Sequence, residues 1–378
     1  MASIGAVANG ENGASVRGKL NAAIAEANKV DAKQDASDIT KIDKQSPCIL
    51  KTGGSTASVA AGTQVRLASG VVITCAVNTA ITMPTLTAGE DYSVWVHPDG
   101  TASAVADPYS APATAPVVGA RKIGGFHYSL TAPGTTPAGG SFATTGFTNQ
   151  GGNYIWDQAK VDRIAGINEF SIWDLLWHCK GEQRGMALDP EMQQWVGIYF
   201  CGTNHITSGP SRYNTDVASG TVLPKIPLAY GGDGTATYGR FSQYEAEEIA
   251  NSHGLKLPSI ELFRSATFGV TEEQSLGGAS VTIPATARQP GYTSRIGIEQ
   301  ATGHIHAFTA GNSAAGGSAW ITGPNRGQAY GNLWILRAGG ARTDGSSSGS
   351  RCSSSHFTAW LSPWSLGLRV AGDHVIGE

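Results

Sequence analysis

An α+β fold with few helices and many short strands is predicted by three features of the sequence. Its 378 residues include 50 Gly and 17 Pro, with 40% hydrophobic but only 15% charged residues. That is too apolar for a disordered chain and too rich in glycine for a helical one. Only two stretches after residue 150 carry helix start and stop signals, and short aromatic runs such as Gly331-Asn332-Leu333-Trp334-Ile335 lie between Gly-rich loops. The length suits two or three domains.

Residues 1–47 form the first unit. Val16, Leu20, Ala23, Ala27 and Val30 follow at spacings of four and three, with Ile24 beside the stripe. The pattern predicts an amphipathic helix, packed either against copies of itself or on its own domain. Residues 48–130 switch to period two. Strands are expected at Thr63–Leu67, Val71–Thr74 and Tyr92–His97, the last closed by the turn Pro98-Asp99-Gly100. This reads as a small β-sandwich spacer. The Pro/Gly/Thr-rich stretch 131–152 reads as a linker, and 153–378 as the C-terminal domain. There Ser242 caps a helix Gln243–His253 ended by Gly254, and Pro258-Ser259 opens a second, Ile260–Phe268, ended by Gly269.

Chemistry is sparse. A net charge of −3 and a pI near 6.3 give no electrostatic footprint for nucleic acid or an anionic membrane. The N-terminus has no signal-peptide pattern and no run is long enough to span a bilayer, so no membrane insertion is expected. Five scattered cysteines (Cys48, Cys75, Cys179, Cys201, Cys352) show no metal spacing and read as buried thiols, with a Cys179–Cys201 disulfide as the alternative. No nucleophile elbow, zinc-protease or phosphate-loop motif occurs. His304 and His306 alternate on an expected strand and could be two metal ligands, but they lack an evident third; satisfied structural groups are the other reading. Glu245, Glu247 and Glu248 sit near a helix start, where the dipole favours them, and read as a solvated face. No catalytic residue, metal or cofactor is therefore expected. The segment ARTDGSSSGSRCSSS (341–355) leads into Phe357, Trp360, Leu361 and Trp364. Small polar residues beside aromatic anchors suit a recognition surface, though the tryptophans could equally be core.

Several separated segments carry a resemblance: RGMALD (184–189), GTNHITSGPSRYN (202–214), HGLKLPSIELFRSATFG (253–269) and GLRVAGDH (367–374), with ITMPTLTAGEDY (81–92), KIGGFHY (122–128) and INEFSIWD (167–174). In these the chain, from about residue 55 onward, resembles the variable proteins of diversity-generating retroelements, and among them the receptor-binding proteins of phage tail fibres. The first 50 or so residues do not match, which leaves attachment to the virion open. The resemblance implies a C-type-lectin-like C-terminal domain of the formylglycine-generating-enzyme subclass, a homotrimer at the tail tip contacting other tail proteins, and binding of a bacterial surface receptor, protein or glycan. It places the variable region at about 337–378, with varied positions at Ala341, Thr343, Gly345, Ser347, Ser354, His356, Phe357, Leu361, Pro363, Ser365, Leu366 and Ala371. Trp360 and Trp364 stand between them as aromatic anchors. Gly349, Ser350, Arg351, Gly367, Arg369, Asp373 and His374 match the fixed frame. None of the twelve positions holds Lys, Glu, Gln, Met or Trp, which an AAY codon mutated at its adenines cannot encode.

Two rival readings keep the fold: a structural tail component without recognition, and an oxidase of the formylglycine-generating type. The oxidase needs two thiols five positions apart, and Ser347 stands where Cys352 would need its partner. A calcium-dependent lectin would need a paired Glu-Pro-Asn or Gln-Pro-Asp motif, which is not evident.

Overall fold

The computed structural model describes residues 38–137, 141–143, 154–277, 284–322 and 328–377. The helix expected at 16–30 lies outside them.

A first strand, β1 (Ile39–Thr40), precedes the stretch expected as a spacer, which holds β2 (Ile49–Gly53), β3 (Thr56–Val59), β4 (Gln64–Arg66), β5 (Val72–Thr74), β6 (Thr79–Thr82), β7 (Glu90–Val96) and β8 (Ala102–Ala106). A longer β9 (Arg121–Tyr128) follows. The small sheet β1-β4-β5 presents Ile39, Val65 and Leu67 to a core shared with Val94, Ile123 and Phe126 of the larger sheet, so two sheets pack face to face. The turn after β7 forms as its residues dictate: Gly100 takes φ +84° and the Asp99 carboxylate accepts the Thr101 N–H at 2.9 Å.

The larger sheet does not stop at the spacer. Strands β10 (Trp173–Asp174), β11 (Trp177–Cys179), β12 (Met186–Asp189) and β13 (Gln194–Gly197) extend it, with β18 (Ala371–Ile376) from the chain end. The eleven strands run β12-β13-β18-β11-β10-β9-β7-β8-β6-β3-β2. The joint needs glycine: a Cβ on Gly124 would stand 2.1 Å from the Trp173 carbonyl oxygen, on the neighbouring strand. The stretch expected as a linker is anchored where it is described, because Phe142 is buried 4.3 Å from the Trp156 ring.

Four helices are present among the described residues: α1 (Gln158–Ile164), α2 (His205–Ser208), α3 (Gln243–Ser252) and α4 (Ile260–Ala266). Ser242 and Glu245 close α3 in a capping box, with the Ser242 N–H donating to Glu245 at 2.8 Å, and Gly254 ends it at φ +70°. Glu245 is thus buried in the cap, which corrects its assignment to a solvated face. Ser259 caps α4 through the Leu262 N–H at 3.1 Å.

A second, four-stranded sheet carries the C-terminal segment. Its order is β16 (Ser353–Thr358), β15 (Gln328–Ala338), β14 (His306–Thr322) and β17 (Leu366–Gly367). All five cysteines are free thiols, so no Cys179–Cys201 disulfide forms. Burial pushes the Cys179 thiol up to about 12.

Candidate ligand-binding face

The segment 341–365 is a loop, an edge strand and a second loop, laid over a frame of buried polar groups. Arg369 is the deepest part of that frame. It is fully buried, and its guanidinium donates to the carbonyls of Gly197 and Ile198 at 2.8 Å and of Glu299 at 2.9 Å. It also stacks 4.1 Å from the Phe200 ring. One side chain thereby joins two separate segments, 197–198 and 299–300, to its own, which a charged fork can do and an ammonium cannot. Burial lowers the Arg369 pKa to about 9 and raises that of neighbouring Glu299 to about 7.

The first loop is pinned at two points. Gly340 N–H donates to His306 Nδ1 at 3.2 Å, so the proton on Nε2 faces the Asp344 carboxylate 2.8 Å away. That hydrogen bond is the main reason the Asp344 pKa falls to about 2. Asp344 also accepts the Ala341 N–H at 2.9 Å. At the second point Glu272 accepts both the N–H (2.9 Å) and the hydroxyl of Ser350. Gly349 beside it sits at φ +151°, with the Glu272 carboxylate where a side chain would be. The expected frame residues Gly349, Ser350 and Arg369 therefore hold backbone, and His374 joins them by accepting Trp195 Nε1–H at 3.0 Å.

Against this frame the twelve expected positions separate. Thr343, Gly345, Ser347, His356 and Leu361 are exposed, and Ser354, Phe357 and Pro363 are half-exposed. Ala341, Ser365, Leu366 and Ala371 are buried. The structure places these four side chains inside the fold and not on the exposed face. Leu366 lies in β17 against β14, Ala371 in β18 against Val196, Ala341 bridges to His304, and Ser365 gives its carbonyl to the His306 N–H. A partner has no access to their side chains. Trp360 and Trp364 are half-buried. Trp360 packs on Tyr244 with ring centroids 4.2 Å apart, and Trp364 packs on the cluster holding Phe200, Phe263 and Ile305.

β16 sets the spacing of the exposed groups. Its register with β15 pairs Phe357 with Ile335 and Ser354 with Arg337. Ser354 Oγ and His356 Nδ1 are 2.6 Å apart, and the His356 and Phe357 rings meet at 4.3 Å. The Arg337 guanidinium lies beneath Phe357, 3.8 Å from the ring centroid. Sequence reading missed Arg337; a lone arginine in an aromatic strand carries no periodic or motif signal. His304 and His306, considered as a ligand pair, turn to different partners, Arg342 at 3.4 Å and Asp344. Among the described residues no three His, Cys, Asp or Glu side chains gather as a metal site.

Exposed side chains laid over a frame of buried polar contacts are the arrangement of a display domain. Residues 47–174 match the family model for the Mtd second domain. The tail fiber receptor-binding protein of Bordetella phage BPP-1 is 36% identical over 354 residues, covering 89% of this chain and 85% of that one. The solved U1 variant of the major tropism determinant aligns with a TM-score of 0.77 at 34% identity, covering 89% of this chain and 86% of that one. The M1 variant gives the same TM-score and identity over 90% of this chain and 86% of its own. The chain belongs to the family of the major tropism determinants and has their C-type-lectin-like fold.

Proposed function

We propose that this protein is a phage tail adhesin, carried on the virion, whose face at Thr343, Gly345, Ser347, Ser354, His356, Phe357, Leu361 and Pro363 binds a host bacterial surface receptor. The relatives named as receptor-binding and tropism-determining proteins support the reading. The single observation that carries it is the separation of roles within one segment. These eight positions reach solvent, while the backbone of their segment is held by Glu272 and Asp344 and the loops 197–198 and 299–300 are held by Arg369. Such a face can exchange contacts without exchanging fold, since surface substitutions away from caps and buried polar groups usually change stability by under about 0.5 kcal/mol. Diversification of the codons by a retroelement is part of the proposal.

Binding is without reaction. Ser347 stands where an oxidase of the related enzymes would need a second thiol near Cys352. Each side chain contributes little alone, so assembly as a homotrimer on the tail, joined to other tail proteins, would multiply weak contacts into avidity.

The test is binding of the purified chain to cells of the bacterium that its phage infects. Replacing Thr343, Ser347, His356 and Leu361 together by alanine is expected to lower cell binding at least about tenfold with a nearly unchanged melting temperature. Retained binding would place the receptor contact elsewhere.

A further inference from the structure

Arg337 is at none of the positions expected to vary, yet it lies between the two halves of the face. Its strand partner is Ser354, its guanidinium packs under Phe357, and the groups acting on it electrostatically are Asp344 and Cys352. Only 7% of the residue is exposed, and its Nε is buried without a hydrogen-bond partner. Among the described residues none bonds or pairs with the guanidinium at all. Asp344, the nearby carboxylate, is already taken by His306 Nε2–H and the Ala341 N–H. His306 itself is held neutral by burial.

An arginine keeps its charge, and Asp344 attracts Arg337 only through space, with no hydrogen bond between them, so the desolvated guanidinium is poorly compensated. Arg369 also leaves its Nε unbonded, but its two terminal nitrogens meet four carbonyls, whereas those of Arg337 meet none among the described residues. With Phe357 covering one face of the fork, its edge remains for a ligand, and the group that fits two parallel N–H donors is a carboxylate or phosphate.

We propose that Arg337 is a fixed oxyanion subsite of the face, receiving a carboxylate or phosphate group of the receptor while the surrounding positions change. This rests on the receptor-binding reading and adds a constant to it: successive variants would keep choosing acidic surfaces.

The subsite is testable without a receptor. Sodium acetate and inorganic phosphate are titrated into the full chain at constant ionic strength in chloride, and the melting temperature is followed. At least one of the two is expected to raise it saturably in the wild type and not in Arg337→Met. Without added oxyanion, Arg337→Met is expected to melt no lower than the wild type, because it removes an unpaired buried charge. A response to acetate alone assigns a carboxylate source, to phosphate alone a phosphate source, and both outcomes support the subsite. No response, or the same response in wild type and variant (an adventitious ion only), overturns it. Should Arg337→Met not fold, Arg337→Lys keeps the charge but not the fork and must respond more weakly than the wild type; an equal response overturns the proposal. Failure here leaves receptor binding to its own test on cells.

Discussion

His306 Nε2 stands 2.8 Å from the Asp344 carboxylate, tying the exposed loop 341–347 to the first residue of the strand beneath it. The pair decides how well the loop is held, because Asp344 also takes the Ala341 N–H. Asp344→Ala would leave both donors unanswered and is expected to cost about 1–2 kcal/mol at pH 7 in chemical denaturation, with Asp344→Asn recovering part. The folded Asp344 pKa is depressed to about 2, so its contribution is complete above the ordinary carboxylate range and fades as pH falls toward 2.

Buried histidines give a second, earlier acid sensitivity. Desolvation lowers His205 to about 4 and His304 to about 3. Below about pH 6.5 the unfolded chain takes up protons that the folded chain refuses, so stability falls with acidification. The slope is up to about 1.4 kcal/mol per pH unit for each histidine between roughly pH 6 and 4. Urea melts at pH 7, 6 and 5 check it; His304→Asn should flatten the curve, and an unchanged curve in that variant would refute the assignment.

Arg369 should be among the least replaceable residues of the domain. Arg369→Met would strand the carbonyls of Gly197, Ile198 and Glu299 and leave buried Glu299 with Arg288 alone of the two cations that act on it. A loss of about 3–5 kcal/mol, or failure to fold, is expected. Arg369→Lys should rescue little, since an ammonium cannot span the three carbonyls. Near-wild-type melting of either variant would refute this role.

Frame glycines and face positions should respond oppositely. Gly340 lies at φ +81° with the Ser348 hydroxyl 2.2 Å from a built Cβ, and Gly349 at φ +151° against Glu272. Alanine at either is expected to cost about 1–3 kcal/mol. Thr343→Ala and Ser347→Ala should stay within about 0.5 kcal/mol of wild type. Gly345 is itself at φ +52° with open space around it, so Gly345→Asn, which tolerates that conformation, should melt near the wild type.

Local signals were legible where they are short-range. Helices α3 and α4 announce themselves through Ser242, Gly254 and Ser259, and the β7 turn through Asp99 and Gly100, whereas the place of Glu245 in the cap was missed. The lectin-like fold was legible through family resemblance rather than periodicity. The strand β14 was not: its Ala, Gly and Ser residues carry no alternation, and its register is set by pairing with β15. Long-range polar pairs were equally silent. His306 with Asp344, and Glu272 with Ser350, are 38 and 78 positions apart, and nothing in either neighbourhood names the other. The same distance explains why four of the expected positions are buried. A match along the sequence marks Ala341, Ser365, Leu366 and Ala371 but cannot see that β14, β13 and the His304 bridge cover them.

The central claim is that one segment separates a changeable face from an unchanging frame. Sequencing the 3′ end of the gene across a population of its phage tests it most directly. Substitutions are expected at codons 343, 345, 347, 354, 356, 357, 361 and 363, tracing to adenines of a nearby near-copy, while Arg337, Gly340, Gly349, Ser350 and Arg369 stay constant. An invariant segment without a near-copy, or changes spread evenly over frame and face, would contradict it.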